Sequence, residues 1–191
     1  MTIVSYYVAQ SLDGYIADLS HGVSWLDSIA PNEVVQSFRQ PGDTENLFKY
    51  EDYLKSVGAI VMGRKTYDFL VQYGSNPYQG IETWVLSESL SAKAPLLPGI
   101  QLAPPSMDLK TFVSDLMNRT NKRIWIVGGG DVAAQVLELD LLDEIIVSIA
   151  PRTLQAGIPL FRSLNMTSVK NWKLTQTQIT ENGFVQLCYR K

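Results

Sequence analysis

The chain has 191 residues, of which 46% are hydrophobic and 18% are charged, so we expect one domain over residues 1–191 with a substantial buried core. The formal net charge of −3 gives no electrostatic basis for binding nucleic acid. One histidine and one cysteine exclude a histidine-rich metal site and an intrachain disulfide, and we expect no bound metal. The N-terminal residues lack a signal-peptide pattern and no apolar run is long enough to span a bilayer, so we expect a cytoplasmic protein that does not engage a membrane.

The first part of the chain predicts a central strand, loops and two short helices. Residues 3–10 are apolar on both faces of an extended segment, which is typical of a strand in the middle of a sheet. The Asp-Gly pair within 11–17 indicates a turn. Asn32 is predicted to cap a helix that ends near Arg39, and a second short helix is predicted over 50–57.

A glycine-rich turn follows a predicted buried strand over 124–127. Gly128, Gly129 and Gly130 lead into a helix whose apolar stripe includes Val132. The first N–H groups of a helix are unpaired, and glycines allow a phosphate to approach them closely, so this turn predicts an anion site. The alternative is a tight strand-to-helix turn without a ligand.

A second turn of this kind follows a predicted strand over 59–62 and places Arg64 and Lys65 at the start of a helix. Cations are disfavoured at a helix N-terminus, so their presence there is explained if an external anion binds beside them. The alternative is that both are solvated surface cations. Together the two turns favour a site for a ligand that carries phosphate.

Strands and helices alternate along most of the chain. Strands are predicted over 81–86 and 143–150, and a helix is predicted over 108–118. Residues 172–179 and 184–190 alternate between apolar and polar and form a predicted antiparallel hairpin. This order predicts an α/β fold whose sheet is parallel in the centre and antiparallel at one edge.

The single cysteine and the single histidine are not predicted to be catalytic. Cys188 lies in the alternating last strand and is expected to be a small core hydrophobe. His21 lies in a polar loop and is expected to be solvated. The chain also lacks the Gly-x-Ser-x-Gly turn of serine hydrolases.

The glycine turn also fits the dinucleotide fingerprint of a Rossmann fold, with Gly128, Gly130 and Ala133 at the fingerprint positions. That fold expects the turn after the first strand and an acidic residue at the end of the next strand. Here several strands precede the turn, and the next strand ends at Ala150 and Pro151. A Rossmann-type dehydrogenase is therefore the alternative interpretation.

Four separated segments resemble the dihydrofolate reductase superfamily, in the branch that contains the C-terminal reductase domain of riboflavin biosynthesis and its stand-alone bacterial relatives. They are Ser-Leu-Asp-Gly-Tyr-Ile-Ala at 11–17, Val-Met-Gly-Arg-Lys-Thr-Tyr at 61–67, Val-Leu-Ser at 85–87 and Ile-Val-Gly-Gly-Gly at 126–130. Their order and spacing match over essentially the whole chain. The resemblance implies a single-domain dihydrofolate-reductase-like α/β fold, with a mixed sheet, an antiparallel C-terminal hairpin and helices on both faces. The zinc deaminase that is often fused to this reductase needs more histidine and cysteine ligands than this chain has.

The resemblance implies that NADPH lies across the carboxyl ends of the central strands, often against a cis Gly–Gly bond. One departure is Glu88, because relatives often have an arginine or a small hydroxyl residue there to help hold the 2′-phosphate. The implied cofactor-binding residues are Ala9, Ile16 and Ala17 at the nicotinamide, Gly63, Arg64, Lys65, Thr66 and Ser87 on the adenosine side, and Gly128, Gly129, Gly130, Asp131 and Val132 at the pyrophosphate.

The resemblance also implies a substrate pocket beside the nicotinamide, and we assign Trp25 and Asp27 to it. Ser148 is similar to the strand hydroxyl that touches the pterin in folate reductases, and Asp13 matches the Leu-Asp-Gly of the riboflavin branch. These two are the predicted catalytic residues, although Asp13 is also a suitable turn former. Asp27 lies too close to Trp25 to match the carboxylate of a true dihydrofolate reductase.

The leading hypothesis is an NADPH-dependent reductase of a small heterocycle. Its substrate would resemble 5-amino-6-(5-phosphoribosylamino)uracil, or a pteridine such as dihydrofolate. The alternatives are a Rossmann-type dehydrogenase and a non-catalytic nucleotide-binding protein on the same scaffold. The predicted partner is the small-molecule substrate, and a homodimer is typical of this branch.

Overall fold

The computed structural model describes residues 2–27, 29–90, 95–163 and 169–191. The strands are β1 (Val4–Gln10), β2 (Tyr15–Ala17), β3 (Val34–Arg39), β4 (Val57–Gly63), β5 (Glu82–Leu86), β6 (Ile100–Leu102), β7 (Arg123–Gly128), β8 (Glu144–Ile149), β9 (Ile158–Pro159), β10 (Lys173–Thr180) and β11 (Val185–Arg190). The helices are α1 (Tyr50–Lys55), α2 (Arg64–Tyr73), α3 (Leu109–Arg119) and α4 (Gly130–Glu138), and Ser24–Leu26 forms one turn of 3-10 helix. No helix in the described ranges is long and apolar enough to cross a membrane.

Nine of the described strands form one mixed sheet in the order β3-β10-β11-β8-β1-β7-β4-β5-β6, and β2 and β9 pair antiparallel in a separate two-stranded sheet. Neighbouring strands from β8 to β6 are parallel, whereas the pairs β8–β11, β11–β10 and β10–β3 are antiparallel. The parallel centre and the antiparallel C-terminal hairpin of the sequence prediction are therefore confirmed. The glycine turn follows β7, which lies between β1 and β4, so the order does not match the doubly wound Rossmann arrangement.

Two apolar cores lie on opposite faces of the sheet, because successive strand residues point to alternate sides. Helices α3 and α4 cover one face, where Phe112 and Val136 pack against strand residues such as Ile126. Helices α1 and α2 cover the other face, which contains Trp125 and the fully buried Cys188. Burial raises the pKa of the Cys188 thiol to about 12, so this cysteine is the predicted core hydrophobe.

The helix predicted to begin at Asn32 is wrong, since the segment forms the edge strand β3. The Asn32 side chain does not cap a helix. Its Oδ1 accepts a hydrogen bond from the backbone N–H of Asn182 at 3.0 Å, and its Nδ2 donates to Glu181 at 3.2 Å. These contacts tie the segment to the turn of the C-terminal hairpin, and strand pairing with β10 then determines its conformation.

A buried network of ion pairs lies at the amino ends of the parallel strands. Arg123 is 4% exposed, and its Nε donates to Oε1 of the fully buried Glu144 at 2.9 Å. Its two terminal nitrogens donate to the carboxylate of Glu45 at 2.9 and 2.7 Å. Glu144 also accepts from Arg190 at 2.8 Å and from the hydroxyl of Ser5 at 3.0 Å. The network joins β1, β7, β8 and β11 at the end opposite the glycine turns.

This network should make the stability of the fold depend on acid pH. Hydrogen bonds from Arg123 hold the pKa of Glu45 below its ordinary value of 4.5, against an opposing effect of burial. A lowered folded-state pKa contributes stability above the unfolded-state pKa, and this contribution is lost as the pH falls through the folded-state value. We expect the urea midpoint to fall between about pH 6 and about pH 3, and to fall less in Glu45→Gln.

The exposed Glu33 lies outside this network and provides the matched control. Glu33→Gln should leave the slope of stability against pH as it is in the parent protein. An unchanged slope in Glu45→Gln would show that the network does not account for the acid sensitivity.

Candidate active site

A long cleft runs along the carboxyl ends of the parallel strands and contains three adjoining cavities. The outer cavity, about 560 Å³, is lined by Gly63, Arg64, Lys65, Ser87, Glu88, Gly129, Asp131 and Val132, among others. The middle cavity, about 380 Å³, is lined by Tyr7, Ala9, Ile16, Ala17, His21, Leu26, Lys65, Thr66, Gly128 and Gly129, among others. The inner cavity, about 520 Å³, is lined by Tyr7, Val8, Ala9, Leu26, Phe48, Lys49, Tyr50, Glu51, Trp125, Ser148, Phe184 and Gln186, among others.

Two helix N-termini meet between the outer and middle cavities. Helix α2 begins after Gly63 and helix α4 after Gly129, and neither of these described N-caps provides a side-chain hydrogen bond. In contrast, the side chain of Asp108 caps α3 by accepting from the backbone N–H of Thr111 at 2.9 Å. The first N–H groups of α2 and α4 therefore lack a side-chain cap, and both helix dipoles favour an anion at this point.

The glycines at this meeting point are required for different physical reasons. Gly129 has φ of +81°, a left-handed conformation that strongly favours glycine. A Cβ on Gly130 would lie 2.5 Å from the carbonyl oxygen of Pro159. A Cβ on Gly128 would lie 3.2 Å from Oγ1 of Thr66, so the start of α2 and the end of β7 are in close contact. The described residues contain no cis peptide bond, so the implied cis Gly–Gly bond is not present in this structure.

Arg64 is held in a fixed position at the wall of the outer cavity. Its Nε donates to Asp68 at 2.6 Å, and its Nη1 donates to the hydroxyl of Ser89 at 3.0 Å. The Ser89 hydroxyl lies 3.3 Å from that of Ser87. The Arg64–Asp68 pair is neutral as a whole, so this corner offers a phosphate hydrogen-bond donors from a guanidinium and two hydroxyls. The exposed Glu88 side chain lines the same cavity and would repel a phosphate there.

The other residues that the resemblance assigns to cofactor binding also line this cleft, except Gly130. Ala9, Ile16 and Ala17 form an apolar part of the middle cavity beside Thr66. Asp131 and Val132 line the outer cavity. The Asp131 carboxylate is 3.8 Å from the guanidinium of Arg162, which reduces its repulsion of an anion. Gly130 supports this arrangement by its close contact with Pro159 and does not line the cavities defined above.

Asp13 anchors a loop and is not among the residues that line the three cavities. Its carboxylate accepts from the Ser11 hydroxyl at 2.5 Å and from the backbone N–H of Gln155 at 2.7 Å. The same carboxylate accepts from the N–H of Leu154 at 3.1 Å. The hydrogen bond from Ser11 is the main reason that the pKa of Asp13 is lowered. This carboxylate therefore holds the loop that leads to Ile158, a residue of the middle cavity.

The two residues assigned to the substrate pocket do not line the inner cavity. The carbonyl oxygen of Trp25 accepts from Arg152 at 2.5 Å, and the next residue, Leu26, lines both the middle and inner cavities. Asp27 lines a separate side cavity of about 340 Å³ beside Lys65. His21, expected to be solvated, is partly buried and lines both this side cavity and the middle one.

Ser148 lies at the floor of the inner cavity with two residues that the sequence did not identify. The Ser148 Oγ accepts from Nε2 of Gln186 at 2.9 Å, and Gln186 is directly opposite Ser148 across the β8–β11 pair. The phenol of Tyr7 lies beside both side chains, whose hydrogen bonding lowers its pKa against a larger effect of burial. Burial raises the pKa of Tyr7, so the phenol stays protonated at neutral pH. Tyr7 precedes Ala9 by two positions in β1 and thus faces the same side of the sheet, a spacing that could have identified it.

Known proteins provide an independent comparison. The RibD C-terminal domain family matches residues 78–186, which is more than half of this chain. The uncharacterized protein YwjB of Bacillus subtilis is 29% identical over 159 residues, covering 83% of this chain and 82% of that protein.

Two solved structures share the fold. A Shewanella sp. PV-4 protein named for riboflavin biosynthesis superposes with a TM-score of 0.77 at 24% identity, covering 98% of both chains. The diaminohydroxyphosphoribosylaminopyrimidine deaminase/5-amino-6-(5-phosphoribosylamino)uracil reductase of Thermotoga maritima superposes with a TM-score of 0.68 at 18% identity, covering 99% of this chain and 56% of that one. The sheet order, the glycine turn after β7 and the matched residues lead to one conclusion: the chain belongs to the RibD C-terminal domain family and has the dihydrofolate-reductase-like fold.

Proposed function

We propose that this protein is an NADPH-dependent reductase of a small heterocyclic substrate. The observation that carries the proposal is the meeting of two helix N-termini without side-chain caps, beside Arg64 and Lys65, at one end of a continuous cleft. The cleft then continues through an apolar middle cavity to a polar floor at Ser148. An elongated ligand with phosphates at one end and a planar ring at the other fits this order of surfaces.

The residues present fit this cofactor. Arg64 and the hydroxyls of Ser87 and Ser89 would hold the 2′-phosphate, because they offer charge-assisted and neutral donors at one corner. The N-termini of α2 and α4 would hold the pyrophosphate. Ala9 and Ala17 leave room for the nicotinamide on an apolar surface. When bound, NADPH supplies a hydride for reduction of the substrate.

The protein itself would orient the substrate and exclude water from the reacting end of the cleft. Leu26 and Ala9 line both the middle and the inner cavity, so a ring in the inner cavity lies directly beside the nicotinamide position. The hydroxyls of Tyr7 and Ser148 can donate hydrogen bonds to that ring. Asp13 would act indirectly as a positioning residue through the loop that it anchors.

A non-catalytic nucleotide-binding protein is the second candidate function. Glu88 favours it, because a carboxylate beside the 2′-phosphate position weakens NADPH binding. Under this alternative the protein binds a nucleotide at the outer cavity, and no heterocycle that binds in the inner cavity is reduced. Oxidation of NADPH on addition of a heterocycle separates the two functions.

Titration with NADPH and NADH, followed by tryptophan fluorescence, tests the cofactor site directly. We expect NADPH to bind more tightly than NADH. Arg64→Ala should weaken NADPH binding roughly tenfold or more, because it removes a charge-assisted contact to phosphate, and should affect NADH much less. Isothermal titration calorimetry would give the same dissociation constants without relying on the optical signal.

Two further variants make this experiment specific. Glu88→Gln removes the opposing carboxylate of the outer cavity and should strengthen NADPH binding. Arg119→Ala removes an exposed arginine on α3 that pairs with Glu82, outside the cleft, and should leave both affinities unchanged. If neither nucleotide binds the parent protein, the proposed function is wrong.

A further inference from the structure

The floor of the inner cavity is a row of neutral hydrogen-bonding side chains on one face of the sheet. Ser148 in β8 is opposite Gln186 in β11, and Gln186 is opposite Gln178 in β10. Gln178 donates through Nε2 to Oε1 of Gln186 at 3.0 Å, and Gln186 donates through its own Nε2 to Ser148 at 2.9 Å. The chain of bonds fixes the Gln186 amide, which is 2% exposed, with its nitrogen toward the cavity floor.

This orientation determines which ligand groups the floor can bind. The amide nitrogen of Gln186 carries two N–H groups, one of which is donated to Ser148. The Tyr7 phenol is the other neighbour of both side chains, and a phenol oxygen that accepts from them leaves its own O–H as a donor to a ligand. The Ser148 Oγ already accepts a hydrogen bond, and its O–H proton remains a donor. The floor therefore offers donors, and it suits a ligand edge made of carbonyl oxygens or unprotonated ring nitrogens.

The walls of the inner cavity are mainly aromatic and apolar. Trp125 is 6% exposed and Phe184 is 1% exposed, and both line the cavity. The ring of Tyr50 meets that of Trp125 edge to face, with centroids 6.2 Å apart. A volume of about 520 Å³ with such walls accommodates a fused planar ring system.

The charges at the rim do not favour a phosphate. Among the described residues that line the inner cavity, Lys49 is the one cation. Its side chain is 59% exposed, and its Nζ lies 3.9 Å from the carboxylate of Asp52. Glu51 also lines the cavity and lies with Asp52 in the first turn of α1. A phosphate in this cavity would meet carboxylates at the rim and neutral groups at the floor, without a buried cation to hold it.

We propose that the inner cavity takes an uncharged planar heterocycle with a carbonyl and ring-nitrogen edge, and that the substrate carries no phosphate. This inference rests on the proposed reductase function and specifies its substrate class. The Thermotoga enzyme, by contrast, is named for a phosphoribosylamino compound. On this basis the two proteins share a fold and differ in the group that the substrate end of the cleft recognises.

A matched pair of ligands tests the inference on the intact protein saturated with NADPH. Neopterin has a neutral pterin ring with the required edge, and neopterin monophosphate differs from it only by the added phosphate. Isothermal titration calorimetry should show that neopterin binds about tenfold or more tightly than its monophosphate, because the phosphate is placed near like charge. The NADPH affinity is measured first, so a protein that does not bind NADPH is distinguished from one that binds NADPH but not neopterin.

Two variants connect the expected binding to the floor. Gln186→Leu should weaken neopterin binding roughly tenfold or more, because the hydroxyls of Ser148 and Tyr7 lose the amide that orients them, and a ligand carbonyl then loses an oriented donor in a desolvated site. Gln101→Leu makes the same change on the exposed face of β6 and should leave the affinity unchanged. Ser148→Ala is a second, smaller test should Gln186→Leu not fold, and it should also weaken binding.

The opposite results would overturn the inference. Equal or tighter binding of the monophosphate would contradict the absence of a phosphate from the substrate, and its weakening in Lys49→Ala would show that the rim lysine holds the phosphate. Absence of neopterin binding to a protein that does bind NADPH would show that the inner cavity does not accept this class of ring, and would leave the cofactor site unaffected.

Discussion

Replacement of Arg123 with methionine is expected to lower the free energy of unfolding by about 3 kcal/mol, because it leaves the buried Glu144 carboxylate with one cationic partner in place of two. Glu144 is fully buried and accepts from Arg123 at 2.9 Å. Without that guanidinium its carboxylate keeps Arg190 and Ser5 as partners and remains inside the core. The long apolar side chain of methionine fills much of the space, so the expected loss arises from electrostatics more than from packing.

Urea unfolding at neutral pH measures this effect. Arg119→Met is the matched control, because Arg119 also bonds to two carboxylates, those of Glu82 and Asp115, but is 47% exposed. An exposed network of this kind contributes at most about 1 kcal/mol. If Arg123→Met and Arg119→Met lose the same free energy of unfolding, burial of Arg123 does not make its ion pairs more important for stability than exposed ones.

The central sheet could be predicted because its strands are defined by local pattern. Residues 3–10 are apolar on both faces, as required for a strand buried under helices on each side, and β1 is indeed central. The edge strand β3 could not be predicted in this way. Val34, Val35 and Phe38 have a helix-like spacing, and all six residues of β3 are exposed. The conformation of β3 depends on pairing with a hairpin about 140 positions later in the sequence.

The two ends of the candidate site also differ in how far the local sequence determines them. The two turns at the proposed phosphate end could be predicted because each is a short local motif, and Gly63 and Gly129 are the N-caps of the two helices. The substrate end depends on contacts between distant strands. Gln186 comes beside Ser148 only because β11 runs antiparallel to β8, and no local pattern specifies that pairing. The resemblance assigns Trp25 to the pocket, whereas the next residue, Leu26, is the one that lines the cavity.

Gly130→Ala is expected to reduce the affinity for NADPH by at least about 100-fold, since the loss of two charge-assisted hydrogen bonds costs ~1.5 kcal/mol or more each. The added Cβ would lie 2.5 Å from the carbonyl oxygen of Pro159 and 3.2 Å from the backbone nitrogen of Arg162. Both are backbone atoms, so they cannot rotate away as a side chain can. Either the loop after β9 or the first turn of α4 must move, and the first N–H groups of α4 then point away from the pyrophosphate position.

Gly58→Ala separates this local effect from general destabilisation. Gly58 lies at the start of β4, at the end of the sheet opposite the cleft, and a Cβ there would meet the side chain of Thr120. Both alanine variants should unfold at lower urea concentration than the parent protein, since both force tightly packed groups apart. The NADPH affinity should fall in Gly130→Ala and stay unchanged in Gly58→Ala. Unchanged affinity in Gly130→Ala would mean that the N-terminus of α4 does not bind the cofactor, and the phosphates would then depend on Arg64, Lys65 and the start of α2.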